Sequence, residues 1–238
     1  MTNEREPMGW ASFSAVLFDL DGVITPTAEV HRRAWAELFA PFDFTEEDYL
    51  RSVDGKPRYE GVEGFLATRG VTLPYGSPDD GPDANTVIGY GNRKNVMFKA
   101  ILERDGVTAY PGTVALMDVL DELGVKKAVV SSSRNANAVL QAAELHHRFP
   151  LIVDGRTAEE KGLAGKPAPD GFLHGAELLG VDPSQAVVVE DAEVGVAAGV
   201  AGNFGLVLGV DRGGNRAALT EAGAHVVVDD LDEVLEAV

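Results

Sequence analysis

Three apolar runs in this chain each end in residues able to do chemistry. Phe18 is followed by Asp19-Leu20-Asp21-Gly22, Val130 by Ser131-Ser132-Ser133, and Val189 by Glu190-Asp191. A fourth cluster, Gly165-Lys166-Pro167-Ala168-Pro169-Asp170, stands ahead of the run that ends in Glu190. Several carboxylates gathered at one place need a cation, and an all-oxygen set suits a hard ion such as Mg²⁺. Lys166 adds a fixed positive charge, and hydroxyls and backbone N–H groups at helix starts can hold phosphate oxygens. In Asp19-Leu20-Asp21-Gly22 the chain curls just past a strand end, so both acids can face one ligand, and Gly22 permits the dihedrals of that turn. One carboxylate can attack phosphorus while the other gives and takes a proton. A transferring phosphoryl group demands mainly positioning and charge stabilisation.

Those clusters meet only if a sheet brings them together. Buried strands are expected in Ser14–Asp21, Lys126–Ser132, Ala186–Asp191, Phe204–Val210 and His225–Asp230, with a shorter one in Leu151–Gly155. Amphipathic stretches at Thr113–Leu123, Arg134–Ala143, Asp170–Leu179, Ala192–Ala201 and Arg216–Ala222 read as helices between them. Alternation of this kind implies an α/β fold with a doubly wound parallel sheet, whose carboxyl strand ends share one ligand-binding edge. From about Thr27 to Asp105 the alternation stops. Helical patterns and a Pro-, Gly- and Asp-rich loop (Pro74–Asn85) replace it. The expected organisation is therefore a core of residues 1–24 and 110–238, with an all-helical domain, 25–109, inserted after the first strand. Two crossings between the parts allow a hinge. Trp35 and Phe39 are expected in the apolar interior of the inserted part, and the Asp79–Asp83 stretch in a solvated loop.

Composition narrows the classes. No cysteine is present, which excludes disulfides and thiolate chemistry, and the polar start MTNEREPMGW does not read as a signal peptide. No apolar run reaches membrane-spanning length, so the expectation is a cytoplasmic protein without a membrane partner. The formal net charge of −18 disfavours nucleic acid as a partner. It also means that any anionic substrate needs a local cation.

Taken in order, Asp19-x-Asp21, Ser131, Lys166 and Glu190-Asp191 resemble the haloacid dehalogenase superfamily. FDLDGVITPTAEVHRRAW, VSSSRNA, GKPAPDGF and VVEDAEVGVAAG resemble its β-phosphoglucomutase-like subgroup, from about Ser14 to Val238. The resemblance implies a Rossmann-like core, a helical cap and Mg²⁺. Asp19 would be the nucleophile and a metal ligand. Asp21 would be the general acid and base, with its backbone carbonyl on the metal. Asp191 would bind Mg²⁺, with Glu190 a ligand or just behind it. Ser131 and Lys166 would hold the phosphoryl group, with Ser132 and Asn135 nearby. Thr27 would sit at the hinge. His31, Gly55, Arg58 and Lys94 match cap positions that meet the rest of the substrate, and the Lys166–Pro167 bond is expected to be cis. The mutase cap pattern Lys-Gly-x-x-Arg is here Asp54-Gly55-Lys56-Pro57-Arg58, an acid for the first lysine, and Pro26 replaces a common acid. The expectation is therefore a sugar-phosphate phosphatase working as a monomer, ahead of a β-phosphoglucomutase, with a non-catalytic sugar-phosphate-binding module a distant third.

Overall fold

The computed structural model describes residues 9–53 and 58–237. Six strands form one parallel sheet: β1 (Ala15–Phe18), β2 (Lys126–Val130), β3 (Ile152–Val153), β4 (Ala186–Glu190), β5 (Leu206–Val210) and β6 (Val226–Val228), in the order β3-β2-β1-β4-β5-β6. The order reverses between β1 and β4, so the crevice outside their carboxyl ends is the favoured ligand position of a doubly wound sheet. Register sets the level of each strand end. Phe18 pairs with both Val129 and Val189, and Asp19 N–H donates to the Val189 carbonyl at 2.9 Å. Asp19 therefore follows β1 at the height of Glu190.

The α/β expectation is met, with strands shorter than the apolar runs suggest. Ser14, Asp19–Asp21 and Ser131–Ser132 lie outside the ladders, which leaves the acids and hydroxyls on the edge rather than within it. Residues of β1 and β4 are wholly buried, as continuous apolar runs require when helices cover both faces. The core helices are α5 (Pro111–Leu123), α6 (Ala136–Ala142), α7 (Gly155–Lys161), α8 (Asp170–Leu179), α9 (Glu193–Ala201) and α10 (Arg216–Glu221). Sequence reading misses α7, taking Asp154 as the end of a strand. Asp154 is its N-cap, accepting from Arg156 and Thr157 N–H at 3.0 Å each. Trp10 Nε1 donates to the Val234 carbonyl at 2.6 Å, tying the beginning of the described chain to its end.

Contacts divide the chain into two compact units, the second being Thr27–Gly106. It contains α1 (Thr27–Phe39), α2 (Glu46–Asp48, continuing as a π-helical turn through Val53), α3 (Arg58–Thr68) and α4 (Val87–Asp105). Helix α4 starts five residues earlier than the pattern from Asn92 suggests, because Thr86 caps it, its Oγ1 accepting from Gly89 N–H at 3.0 Å. Gly89 and Gly91 look like helix breakers but are packing residues. A Cβ on Gly89 would lie 2.2 Å from the Ala84 carbonyl oxygen, and one on Gly91 2.6 Å from the Tyr59 ring. Trp35 and Phe39 do lie in the interior of this unit, with Phe39 and Phe65 ring centroids 4.2 Å apart. Phe65 is fully buried there. Phe65→Ala is expected to lower stability by about 3–5 kcal/mol, read as a shifted urea midpoint at unchanged slope.

Candidate active site

Lys166 organises the edge. Its Nζ donates to Asp19 Oδ1 at 2.5 Å, to Glu190 Oε1 at 2.6 Å and to the Val130 carbonyl at 3.3 Å, so one ammonium joins the ends of β1, β4 and β2. It lies 4.9 Å from the centroid of the Phe172 ring, whose face favours a cation. The Lys166–Pro167 bond is cis, as expected. Burial works to lower the lysine's pKa, but the Asp19 and Glu190 carboxylates outweigh it and hold the ammonium charged.

Around it sit the acids. Asp19, Glu190 and Asp191 each offer an oxygen, all within 4.8 Å of one another. Burial, then the neighbouring Asp19, Glu190 and Asp21 charges, push Asp191 up to about 8, against the opposing pull of Lys166. Glu190 is also raised, by burial first, while Lys166 pulls the other way. Both Glu190 oxygens are already engaged. Oε1 accepts from Lys166, and Oε2 accepts from Asp191 and Ala192 N–H at 3.0 Å each. Glu190 thus aims the Asp191 backbone as much as it contributes charge. The Asp21 side chain is not part of the three-acid group, although its charge is felt at Asp191.

The turn carrying Asp21 is built on Gly22, whose φ is +85°; a Cβ there would lie 1.8 Å from Asp191 Oδ2. Gly195 in α9 does the same for Glu190, with a would-be Cβ at 1.7 Å from Oε1. Ser131 is buried one residue beyond the carbonyl that Lys166 grips, and its Oγ accepts from Ser133 N–H at 3.0 Å. Ser132 is exposed, and Asn135 is buried at the start of α6. Sequence reasoning passes over Phe172, Gly195 and Asn215, whose Nδ2 donates to the Asp191 carbonyl at 3.0 Å. A GxxxG-like spacing in α9 could have drawn attention to Gly195; nothing local points to Asn215.

In the helical unit, His31 and Lys94 form a second cluster. Lys94 Nζ lies 2.5 Å from His31 Nδ1, and the His31 ring stacks on Phe98 with centroids 4.3 Å apart. His31 is held well below its ordinary pKa by burial, then by the Lys94 and Arg58 charges. It is therefore neutral, and its Nδ1 accepts a hydrogen bond from the lysine Nζ. Arg58 Nη2 donates to Asn95 Oδ1 at 3.2 Å. Thr27 is fully buried at the start of α1. Gly55, with Asp54 and Lys56, lies outside the described residues. A shallow surface cavity of about 510 Å³ beside α8, lined by Leu163, Asp170, Leu173, His174, Glu177, Val181 and Pro183, holds none of the expected site residues.

Residues 13–203 match the haloacid dehalogenase-like hydrolase family. The chain belongs to this family. It is 47% identical to the β-phosphoglucomutase of Mycobacterium bovis over 93% of this chain and 91% of that one. It is 29% identical to hexitol phosphatase A of Escherichia coli over 78% and 77%. The crystal structure of β-phosphoglucomutase from Clostridium difficile matches with a TM-score of 0.74 at 27% identity, covering 93% of this chain and 92% of that one. The chain is thus a β-phosphoglucomutase-like enzyme of the haloacid dehalogenase family, with the parallel six-stranded core of that fold. Among its described residues no helix is long and apolar enough to cross a membrane.

Removal of the lysine tests the electrostatic arrangement of this haloacid dehalogenase edge. Lys166→Met leaves Asp19 and Glu190 buried without their cation, which is expected to cost about 3–5 kcal/mol near neutral pH. With the ammonium gone, Glu190 is raised further. The folded form then holds a proton that the unfolded form releases, so the loss shrinks as pH falls towards 5. Urea titrations of wild type and variant near pH 5 and pH 7.5 measure both effects; an equal loss at the two values contradicts this arrangement.

Proposed function

We propose that this enzyme transfers the phosphoryl group of small sugar phosphates through an aspartyl-phosphate on Asp19, with Mg²⁺ as cofactor. The observation that carries the reading is Lys166, held between Asp19 and Glu190 beside Asp191 at the strand-order reversal. The donor set fits a hard divalent cation: three carboxylate oxygens close together, with one acid resisting ionisation because it is buried and lies beside other carboxylates. Asp19 and Asp191 would hold it, together with the Asp21 carbonyl, and Glu190 would support them from behind. When bound, the ion supplies positive charge that lets an anionic phosphoryl group approach anionic carboxylates.

This chain's own residues do the rest. An Asp19 carboxylate oxygen forms a bond to phosphorus as the phosphorus–sugar oxygen bond breaks, and Asp21 delivers its proton to the departing sugar oxygen. Lys166 and Ser131, with Ser132 and Asn135, hold the phosphoryl oxygens. Asp21, now ionised, takes a proton from the incoming nucleophile as its oxygen attacks phosphorus and Asp19 is released. A water nucleophile gives a phosphatase, and a sugar hydroxyl gives a phosphomutase. The 47% identity to a β-phosphoglucomutase over nearly the whole chain favours the mutase outcome. The likeness to a hexitol phosphatase keeps hydrolysis as the second reading. In the helical unit, Arg58 and Lys94 both lie close enough to depress His31, a pair of cations of the kind that suits an anionic group.

Two measurements follow. Asp19→Asn should remove at least about 10³-fold of turnover in both phosphate release from sugar phosphates and isomerisation of β-glucose 1-phosphate, while the fold persists. The ratio of those two rates in the wild type separates mutase from phosphatase, and activity surviving in Asp19→Asn refutes the nucleophile assignment. The second concerns the metal. Asp191, raised to about 8, is mostly protonated near pH 7 in the metal-free folded protein and ionised in the unfolded one. Metal-free stability therefore falls as pH rises from the ordinary carboxylate range through about 8. Adding Mg²⁺ near pH 7 should release close to one proton per chain in weakly buffered solution and raise the melting temperature. Asp191→Asn should abolish the proton release; retention of it points to another ligand.

A further inference from the structure

The turn that carries Asp21 is held from outside through backbone carbonyls. Leu20 O accepts from Ile24 and Thr25 N–H, and Thr25 O from Gly22 N–H at 2.8 Å, all within the turn. Val23 O accepts from Thr113 Oγ1 at 2.6 Å and Ile24 O from Tyr110 N–H at 3.0 Å, both at the start of α5. Gly22 O accepts from Arg212 Nε at 3.0 Å, from the loop after β5. Gly22 is the soft point of the turn, because a glycine with positive φ has little intrinsic reason to keep one pair of dihedrals. Its neighbours on both sides matter. Asp21 precedes it, and Asp191 lies against its Cα.

We propose that Arg212 is a positioning residue for the Asp21–Gly22 turn, an inference that rests on the phosphoryl-transfer reading for its kinetic part. The guanidinium is itself held at Nη1 and on its face, although its buried Nη2 has no hydrogen-bond partner among the described residues. Nη1 donates to Asp230 Oδ2 at 2.6 Å and to the Asp229 carbonyl at 3.1 Å, and Cζ lies 3.7 Å from the centroid of the Tyr110 ring. A planar fork fixed on one edge by a carboxylate and on its face by an aromatic ring can present Nε to one carbonyl in one direction, which a flexible ammonium cannot. The same loop grips the other partner, since Asn215 Nδ2 donates to the Asp191 carbonyl. Asp211 fixes the loop's own shape by accepting from Gly214, Asn215 and Arg216 N–H at 2.6, 2.9 and 3.2 Å. One short loop thus holds the two backbone positions, Gly22 and Asp191, whose close approach sets the Asp21 carboxyl relative to the acid cluster. Displacement of about 1 Å at a reacting group can cost on the order of 100-fold in rate.

The test compares Arg212→Gln, Arg212→Lys and a control, Arg216→Gln, whose side chain bonds Asp229 and the Val227 carbonyl rather than the turn. With p-nitrophenyl phosphate as probe, both Arg212 variants should lose roughly 10–100-fold in kcat with KM within about threefold, since binding groups are untouched and alignment is not. Arg216→Gln should keep wild-type kcat. Hydrogen exchange of the 20–25 segment should quicken at least about tenfold in the Arg212 variants, while β1 keeps its protection. If Arg212→Gln does not fold, Arg212→Lys decides by the same criteria. Unchanged exchange, or kcat within twofold of wild type, overturns the proposal. A wild type that neither hydrolyses the probe nor isomerises β-glucose 1-phosphate, with exchange quickened as expected in the variants, leaves the clamp standing and removes the phosphoryl-transfer reading instead.

Discussion

Carboxylates crowded at a sheet edge repel one another and lose hydration, and the Lys166 ammonium is what makes that crowding tolerable. At an effective dielectric near 20, two like charges within 4.8 Å oppose each other by roughly 3 kcal/mol or more. Lys166 offsets this for Asp19 and Glu190 through direct hydrogen bonds. Its pull on Asp191 is outweighed by burial and the neighbouring acids, which push that group up to about 8, and Glu190 is raised as well. A site with one lysine and this many acids is incompletely neutralised by its own residues, and that is the charge the proposed Mg²⁺ would supply.

The fold serves that arrangement by setting heights and clearances. Parallel pairing of β1 with β2 and β4 brings Asp19, the Val130 carbonyl and Glu190 to one level, so a single side chain spans all three. Clearance comes from glycines. Gly22 and Gly195 stand where any Cβ would enter a carboxylate, so the acids approach the backbone more closely than another residue would permit. Glu190 then uses one oxygen on two successive N–H groups, which removes the freedom of the Asp191 peptide. A buried carboxylate with both oxygens occupied is a poor general base but a good fixture.

Much of this is legible in the sequence. Asp19, Ser131 and Glu190 each follow a run too apolar to be anything but a buried strand, and polarity ending such a run marks the sheet edge. Lys166 was legible through its proline-rich setting, and the helical insertion through the absence of alternation. The rest was hidden for physical reasons. Helix α7 is too short for periodicity to register, and its cap reads as a strand end. The start of α4 was hidden by Gly89 and Gly91, whose smallness answers to Ala84 and Tyr59 across the packing rather than to local chain preference. The departure at Asp54, with Gly55 and Lys56, falls outside the described residues, so the pattern that separates mutase from phosphatase rests on sequence there.

The two cationic clusters solve the same problem in different ways, and the contrast bears on a chain of net charge −18. Lys166 is surrounded by acids and so contributes little net positive potential of its own. Lys94 is buried against an imidazole and two aromatic faces, with Arg58 close enough to depress that imidazole. Had His31 been an acid, it would have cancelled the lysine; had it been aliphatic, the ammonium would have lost a hydrogen-bond acceptor. Neutral histidine supplies the acceptor and leaves the charge. The contact between ring and ammonium therefore adds no negative charge to a chain that already carries an excess of it.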